Sequence, residues 1–138
     1  MKQQFIDAVS SSYSPKGSFI YLGAGIFENQ ILADAKVKLP LKMMNRHGLV
    51  TGATGSGKTR TLQLLAEQLS AEGVSVFMPD MKGDLSGMGA AGAVNDRLIE
   101  RANALGIDFK PDAFPLEIYS LSGKLGAPMR ATVTEFGP

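Results

Sequence analysis

The stretch that most restricts what this chain can fold into runs Gly52, Ala53, Thr54, Gly55, Ser56, Gly57, Lys58, Thr59, the pattern G-x-x-x-x-G-K-[ST] filled at every fixed position. That pattern works only where a strand runs into a glycine loop and the loop runs into a helix. Both flanks fit. "HGLVTG" reads as a short apolar strand, and in "KTRTLQLLAEQLSAEG" Leu62, Leu65, Ala66 and Leu69 recur at i, i+3, i+4 and i+7, one face of a helix, with Gly73 where a left-handed C-cap belongs. "VSVFM" follows, a near-continuous apolar run of the kind buried on both faces of a parallel sheet. Strand, helix and strand in that order make a βαβ unit with a right-handed crossover. The expected fold class is therefore α/β, a phosphate-loop parallel sheet with flanking helices.

The chemistry of such a loop follows from its residue types. Glycines open backbone conformations closed to other residues and keep Cβ atoms away, so successive N–H groups can converge on phosphate oxygens. The helix that begins near Gly57 adds its unpaired N–H groups and the positive end of its dipole. Lys58 is placed to set its ammonium against the β- and γ-phosphates of a nucleoside triphosphate, and the Thr59 hydroxyl to ligate a Mg²⁺ bridging them. The plainer alternative is a glycine-rich turn in which Lys58 and Thr59 merely open a helix, but a turn alone requires neither a lysine there nor three glycines.

Around this unit the chain divides into an N-terminal segment, residues 1–40, and the loop-bearing part, residues 41–138. Residues 2–10 have Phe5, Ile6 and Val9 at helical spacing, "YSPKG" is a turn, and "SFIYLG" and "KVKLPL" are strand candidates. Pro40 limits the second of these to an edge or an end, and the two together predict a small β-ribbon. A second helix is expected over residues 94–105, with Leu98, Ala102 and Leu105 on one face and Gly106 as its stop; "PLEIYSL" and "MRATVTEF" are further strand candidates. At 138 residues, 44% hydrophobic and 20% charged, the chain needs neither disulfide nor metal to hold one core, and it contains no Cys. A net charge of +1 gives no field that would recruit DNA, RNA or an anionic membrane. No apolar run approaches the roughly 20 residues that span a bilayer, and "MKQQFIDAVSSSYS" has no signal-peptide core, so a cytoplasmic location is the default expectation.

Other candidates are weaker. Asp80 ends the apolar strand and so falls on the sheet edge that carries the loop, where it stands either at the rim of the site or as a second Mg²⁺ ligand. The plainer reading makes Asp80, Lys82 and Asp84 a solvated strand-to-helix loop. "GMGAAGAV" is a second anion loop or, more simply, a connection that orders against a neighbour, since no Lys follows at useful spacing. Arg60 on the first helical turn is either a phosphate or base contact or a solvated surface residue. His47 is the only histidine, which excludes a His-based metal cluster or a Ser-His-Asp triad; it either packs or hydrogen-bonds at the start of the loop strand, the plainer reading, or contacts the nucleotide. Arg97 and Arg101, with Asp96 and Glu100, read as a salt-bridged helix face.

The run "LPLKMMNRHGLVTGATGSGKTRTLQLLAEQLSAEGVSVFMPDMKGDLSG", with the later "PMRATVTEFGP", resembles the HerA-like branch of the P-loop ATPases, the superfamily of the HerA and FtsK DNA translocases. The resemblance covers residues 39–138. It implies ATP and Mg²⁺ as ligands, DNA as a partner, and self-association into a hexamer. It places Asp80 and Lys82 of "PDMKGDLSG" at the rim of the nucleotide site. It also implies a later Walker B strand with an acidic pair and a polar sensor, neither of which the sequence contains, so the expectation is nucleotide binding without hydrolysis by this chain alone. Two other classes remain open: a small P-loop phosphotransferase using Asp80 as its acid and residues 87–94 as acceptor loop, and a non-enzymatic assembly module that binds nucleotide or phosphate.

Overall fold

A computed structural model describes residues 1–130. The chain is a mixed α/β structure organised on an antiparallel ribbon of β1 (Phe19–Phe27) and β2 (Gln30–Pro40). Glu28 and Asn29 form the two-residue turn with φ of 48° and 61°, the mirror-image turn whose twist matches that of the flanking strands. The register runs from Phe27 opposite Gln30 to Phe19 opposite Pro40, with irregularities between Tyr21 and Gly23 and between Ala24 and Gly25. The expected ribbon is thus present and longer than its sequence signals suggested.

Three helices pack on this ribbon, and the core lies where they meet it. The first, α1 (Lys2–Ser12), lays Phe5 against Phe27 with ring centroids 5.5 Å apart. A Cβ on Gly25 would lie 2.7 Å from the Phe5 ring, so glycine is what lets the helix come this close. The second, α2 (Lys58–Ala71), packs on β1, and the third, α3 (Asp96–Leu105), on β2. Ile20, Leu32 and Ala35 of the ribbon are buried with Ala66 of α2 and Ala102 of α3.

Both later helices end as their sequences predict. Past α2, Gly73 has φ 77°, its N–H reaches the Ser70 carbonyl at 2.9 Å, and the Val74 N–H reaches that of Leu69 at 2.9 Å, so two otherwise unpaired carbonyls are satisfied. Asn95 caps α3, accepting from the Leu98 N–H at 2.9 Å, and for that reason the helix begins at Asp96, two residues later than its apolar pattern. Gly106 ends it at φ 64°.

The parallel sheet is where expectation and structure part. "HGLVTG" and "VSVFM" form no strand and pair with none; Leu49 is 87% exposed and Phe77 77% exposed. Among the described residues the parallel pairing is confined to β3 (Tyr119–Ser120) and β4 (Ala127–Pro128). A strand buried on both faces needs a neighbour within about 5 Å and helices over each face. Here α2 is committed to the ribbon. Tyr21 N donates to Gln68 Oε1 at 2.7 Å, and Gln68 Nε2 returns a bond to the Tyr21 carbonyl at 2.9 Å, so the side-chain amide pairs with the β1 backbone as a strand would. The buried face of α2 is correspondingly rotated: Gln63 and Ala66 are buried, while Leu62 is exposed. "PLEIYSL" pairs only at Tyr119 and Ser120, and "MRATVTEF" falls beyond the described residues apart from Met129 and Arg130, which lie outside any strand.

Candidate phosphate-binding site

The loop at residues 52–59 takes the conformation its glycines permit. Gly55 and Gly57 have φ of 80° and 93°, and a Cβ on Gly52 would collide with the Ser56 side chain. The Ser56 N–H closes the turn on the Ala53 carbonyl at 3.2 Å. Gly57 is the N-cap of α2 and brings no side-chain cap, so the first N–H groups of a 14-residue helix have no side-chain partner there, beside an exposed loop. Lys58, the first helical residue, folds back, its Nζ donating to the Gly52 and Ala53 carbonyls at 2.8 Å each. Its ammonium is therefore held over the loop by the backbone that would surround an anion. Thr61 Oγ1 donates to the Gly57 carbonyl at 3.2 Å and steadies the same turn.

Beside the loop lies a cavity of about 210 Å³ lined by Thr59, Arg60, Gln63 and Asp84. Gln63 is 7% exposed, and both ends of its amide are used. Arg60 Nη1 donates to Gln63 Oε1 at 3.0 Å, and Gln63 Nε2 donates to the Asp84 carbonyl at 3.0 Å. Sequence periodicity gave no sign of this, since Gln63 counts as a polar interruption beside the apolar face. A larger cavity, about 450 Å³, lies at the C-terminal end of α3 between Ile99, Asn103 and Phe109 and contains none of the loop residues.

Asp80 is engaged locally. Its Oδ1 accepts from the Lys82 and Gly83 N–H groups at 3.0 and 2.8 Å, and its Oδ2 from the Leu85 N–H at 2.9 Å. These bonds, that from Leu85 foremost, hold its carboxyl below the usual carboxylate range. Of the acidic residues considered, Asp84 is the one that lines the cavity with Thr59. Arg60 is turned toward Gln63, and His47 is exposed at the chain's approach to the loop. The "GMGAAGAV" stretch begins in a short 3-10 turn, Ser86–Gly89, whose Met88 carbonyl accepts from the Phe114 N–H at 3.1 Å, so it orders against a neighbouring segment. The salt-bridged face expected on α3 does not form: Arg97, Glu100 and Arg101 are exposed, and the ion pair among the described residues is Lys110 with Asp108 at 2.8 Å. Exposed i,i+4 charges gain too little in water to hold long side chains in one geometry.

No helix among the described residues is long and apolar enough to cross a membrane. A protein-family model described as helicase HerA-like C-terminal matches residues 27–138, a span that takes in β2, the loop, α2 and α3. No curated protein and no solved structure matches the chain.

Proposed function

Because this chain belongs to the helicase HerA-like C-terminal family, we propose that it binds ATP or ADP with Mg²⁺ through Gly52, Ala53, Thr54, Gly55, Ser56, Gly57, Lys58 and Thr59. The observation that carries the reading is the pairing of two positive-φ glycines with a lysine ammonium 2.8 Å from two loop carbonyls, at the open N-terminus of α2. An incoming phosphate exchanges those two carbonyl contacts for a stronger charge-assisted one while keeping Lys58 in place. In this reading the backbone of residues 53–57 cradles the phosphates, Lys58 neutralises their charge and Thr59 ligates the metal. Arg60 supplies a further cation at the rim. Asp80 accepts three N–H bonds within its own turn and does not line the cavity that holds Thr59, so its first role is that turn.

The same reading makes residues 47–52 and 74–78 the first strands of a P-loop parallel sheet. Their exposed Leu49, Val76 and Phe77 fit a sheet that is completed by further strands or by another subunit. Self-association, and DNA as a partner of the assembled ATPase, follow as proposals from family membership alone.

The reading is tested by competition binding with a fluorescent nucleotide, with Mg²⁺ and with chelator, on the native chain, Lys58→Ala and Thr59→Val. Loss of a charge-assisted contact predicts at least about tenfold weaker binding for Lys58→Ala under both conditions. Thr59→Val should weaken binding only when Mg²⁺ is present. Equal affinity in all three proteins rejects the site.

A further inference from the structure

Gln63 is a polar residue buried to 7% exposure, and its side chain joins two segments 21 positions apart. A buried amide is tolerated only when its donor and acceptor are both satisfied, and here each faces a different segment. Its acceptor takes the Arg60 guanidinium on the first turn of α2, at 3.0 Å. Its donor takes the backbone of Asp84, at 3.0 Å, in a turn that Asp80 closes by accepting from Lys82, Gly83 and Leu85. Thr59, Arg60, Gln63 and Asp84 then share one cavity. Removing the amide would leave the Asp84 carbonyl and the Arg60 guanidinium without this common anchor.

We propose that Gln63 is a positioning residue that fastens the Asp80-closed turn to the first turn of α2, holding Asp84 beside Thr59 and coupling that turn to occupancy of the phosphate loop. The coupling half rests on the nucleotide-binding reading above; the fastening half does not. A ligand drawing Arg60 toward the loop changes the load on Gln63 Oε1, and the same amide carries that change to the Asp84 carbonyl. The turn thereby senses the loop without touching the ligand.

Two substitutions separate the contacts. Gln63→Glu keeps an acceptor for Arg60 but sets a carboxylate oxygen against the Asp84 carbonyl; Gln63→Met keeps the length and removes both bonds. Amide hydrogen exchange of the full chain, read by NMR, is the measurement. Without nucleotide, both variants should exchange about tenfold faster at Lys82, Gly83 and Leu85, the expected effect of losing one buried hydrogen bond, while amides inside α3 stay as in the native chain. Unchanged exchange at those three amides, or an equal rise throughout the chain, overturns the proposal. With ATP and Mg²⁺ added, Leu85 should gain protection in the native chain and not in Gln63→Glu at matched saturation; equal protection in both overturns the coupling. If the native chain takes up no nucleotide, the binding reading fails, and the nucleotide-free comparison still decides whether Gln63 fastens the turn.

Discussion

At the scale of single residues, two carboxylates carry opposite pH signatures. Asp80 is held below its ordinary value by the N–H groups of Leu85, Lys82 and Gly83. A carboxyl depressed by folding contributes stability that is present above its unfolded pKa, about 3.9, and is lost as pH falls through the lower folded value. The 80–85 turn should therefore loosen in acid below about pH 4. Asp80→Ala should abolish that acid-dependent step and leave Leu85 N–H exchange fast at every pH; an acid step that survives Asp80→Ala would contradict the assignment. Glu67 on α2 is raised by burial, with Arg60 pulling the other way. The stability linked to its protonated form is present below the unfolded pKa and is lost as pH rises through the folded one. Glu67→Gln should thus stabilise the chain at pH 7 by less than about 1 kcal/mol, because solvent screens a side chain this accessible. Urea titrations at pH 7 and at pH 3.5 give the comparison, with the gain expected at the higher pH only.

At the scale of elements, the caps and the ribbon joint offer the clearest tests. Asn95→Ala removes the side-chain bond to the Leu98 N–H and should cost about 1 kcal/mol in urea unfolding. Ile20, fully buried where the ribbon meets the helices, should cost about 2–5 kcal/mol as Ile20→Ala. The helices were legible in sequence because apolar spacing, Gly73 and Gly106 all speak locally. The ribbon was legible in part, since Glu28 and Asn29 adopt a turn that usually advertises itself with glycine and does not here. The positive-φ turns of the glycine loop were legible at Gly55 and Gly57, because a left-handed backbone is a local property of the residue that adopts it. Less legible were contacts between segments. That Gln68 pairs with the Tyr21 backbone, or that Gln63 is buried while Leu62 is exposed, depends on which way α2 rolls against the ribbon, and helical periodicity leaves that roll free by about one residue. For the same reason the unpaired state of "VSVFM" could not be read from its composition, which describes what a strand prefers and not which neighbour it obtains.

At the scale of the whole molecule, Leu49, Val50, Val74, Val76 and Phe77 present exposed apolar side chains on backbone that pairs with no strand. Such a surface invites pairing, so the native chain should show concentration-dependent association in sedimentation, and Phe77→Lys should shift it toward monomer. A net charge of +1 supplies little phosphate attraction, so DNA affinity of this chain by itself should be weak and lost at moderate salt. Nucleotide binding by the glycine loop is tested most directly by calorimetric titration of ATP with Mg²⁺ into the chain and into Lys58→Ala. A saturable heat at one site per chain in the native protein, absent in folded Lys58→Ala, is the predicted result. The same heat in both proteins, or none in the folded native chain, would contradict it.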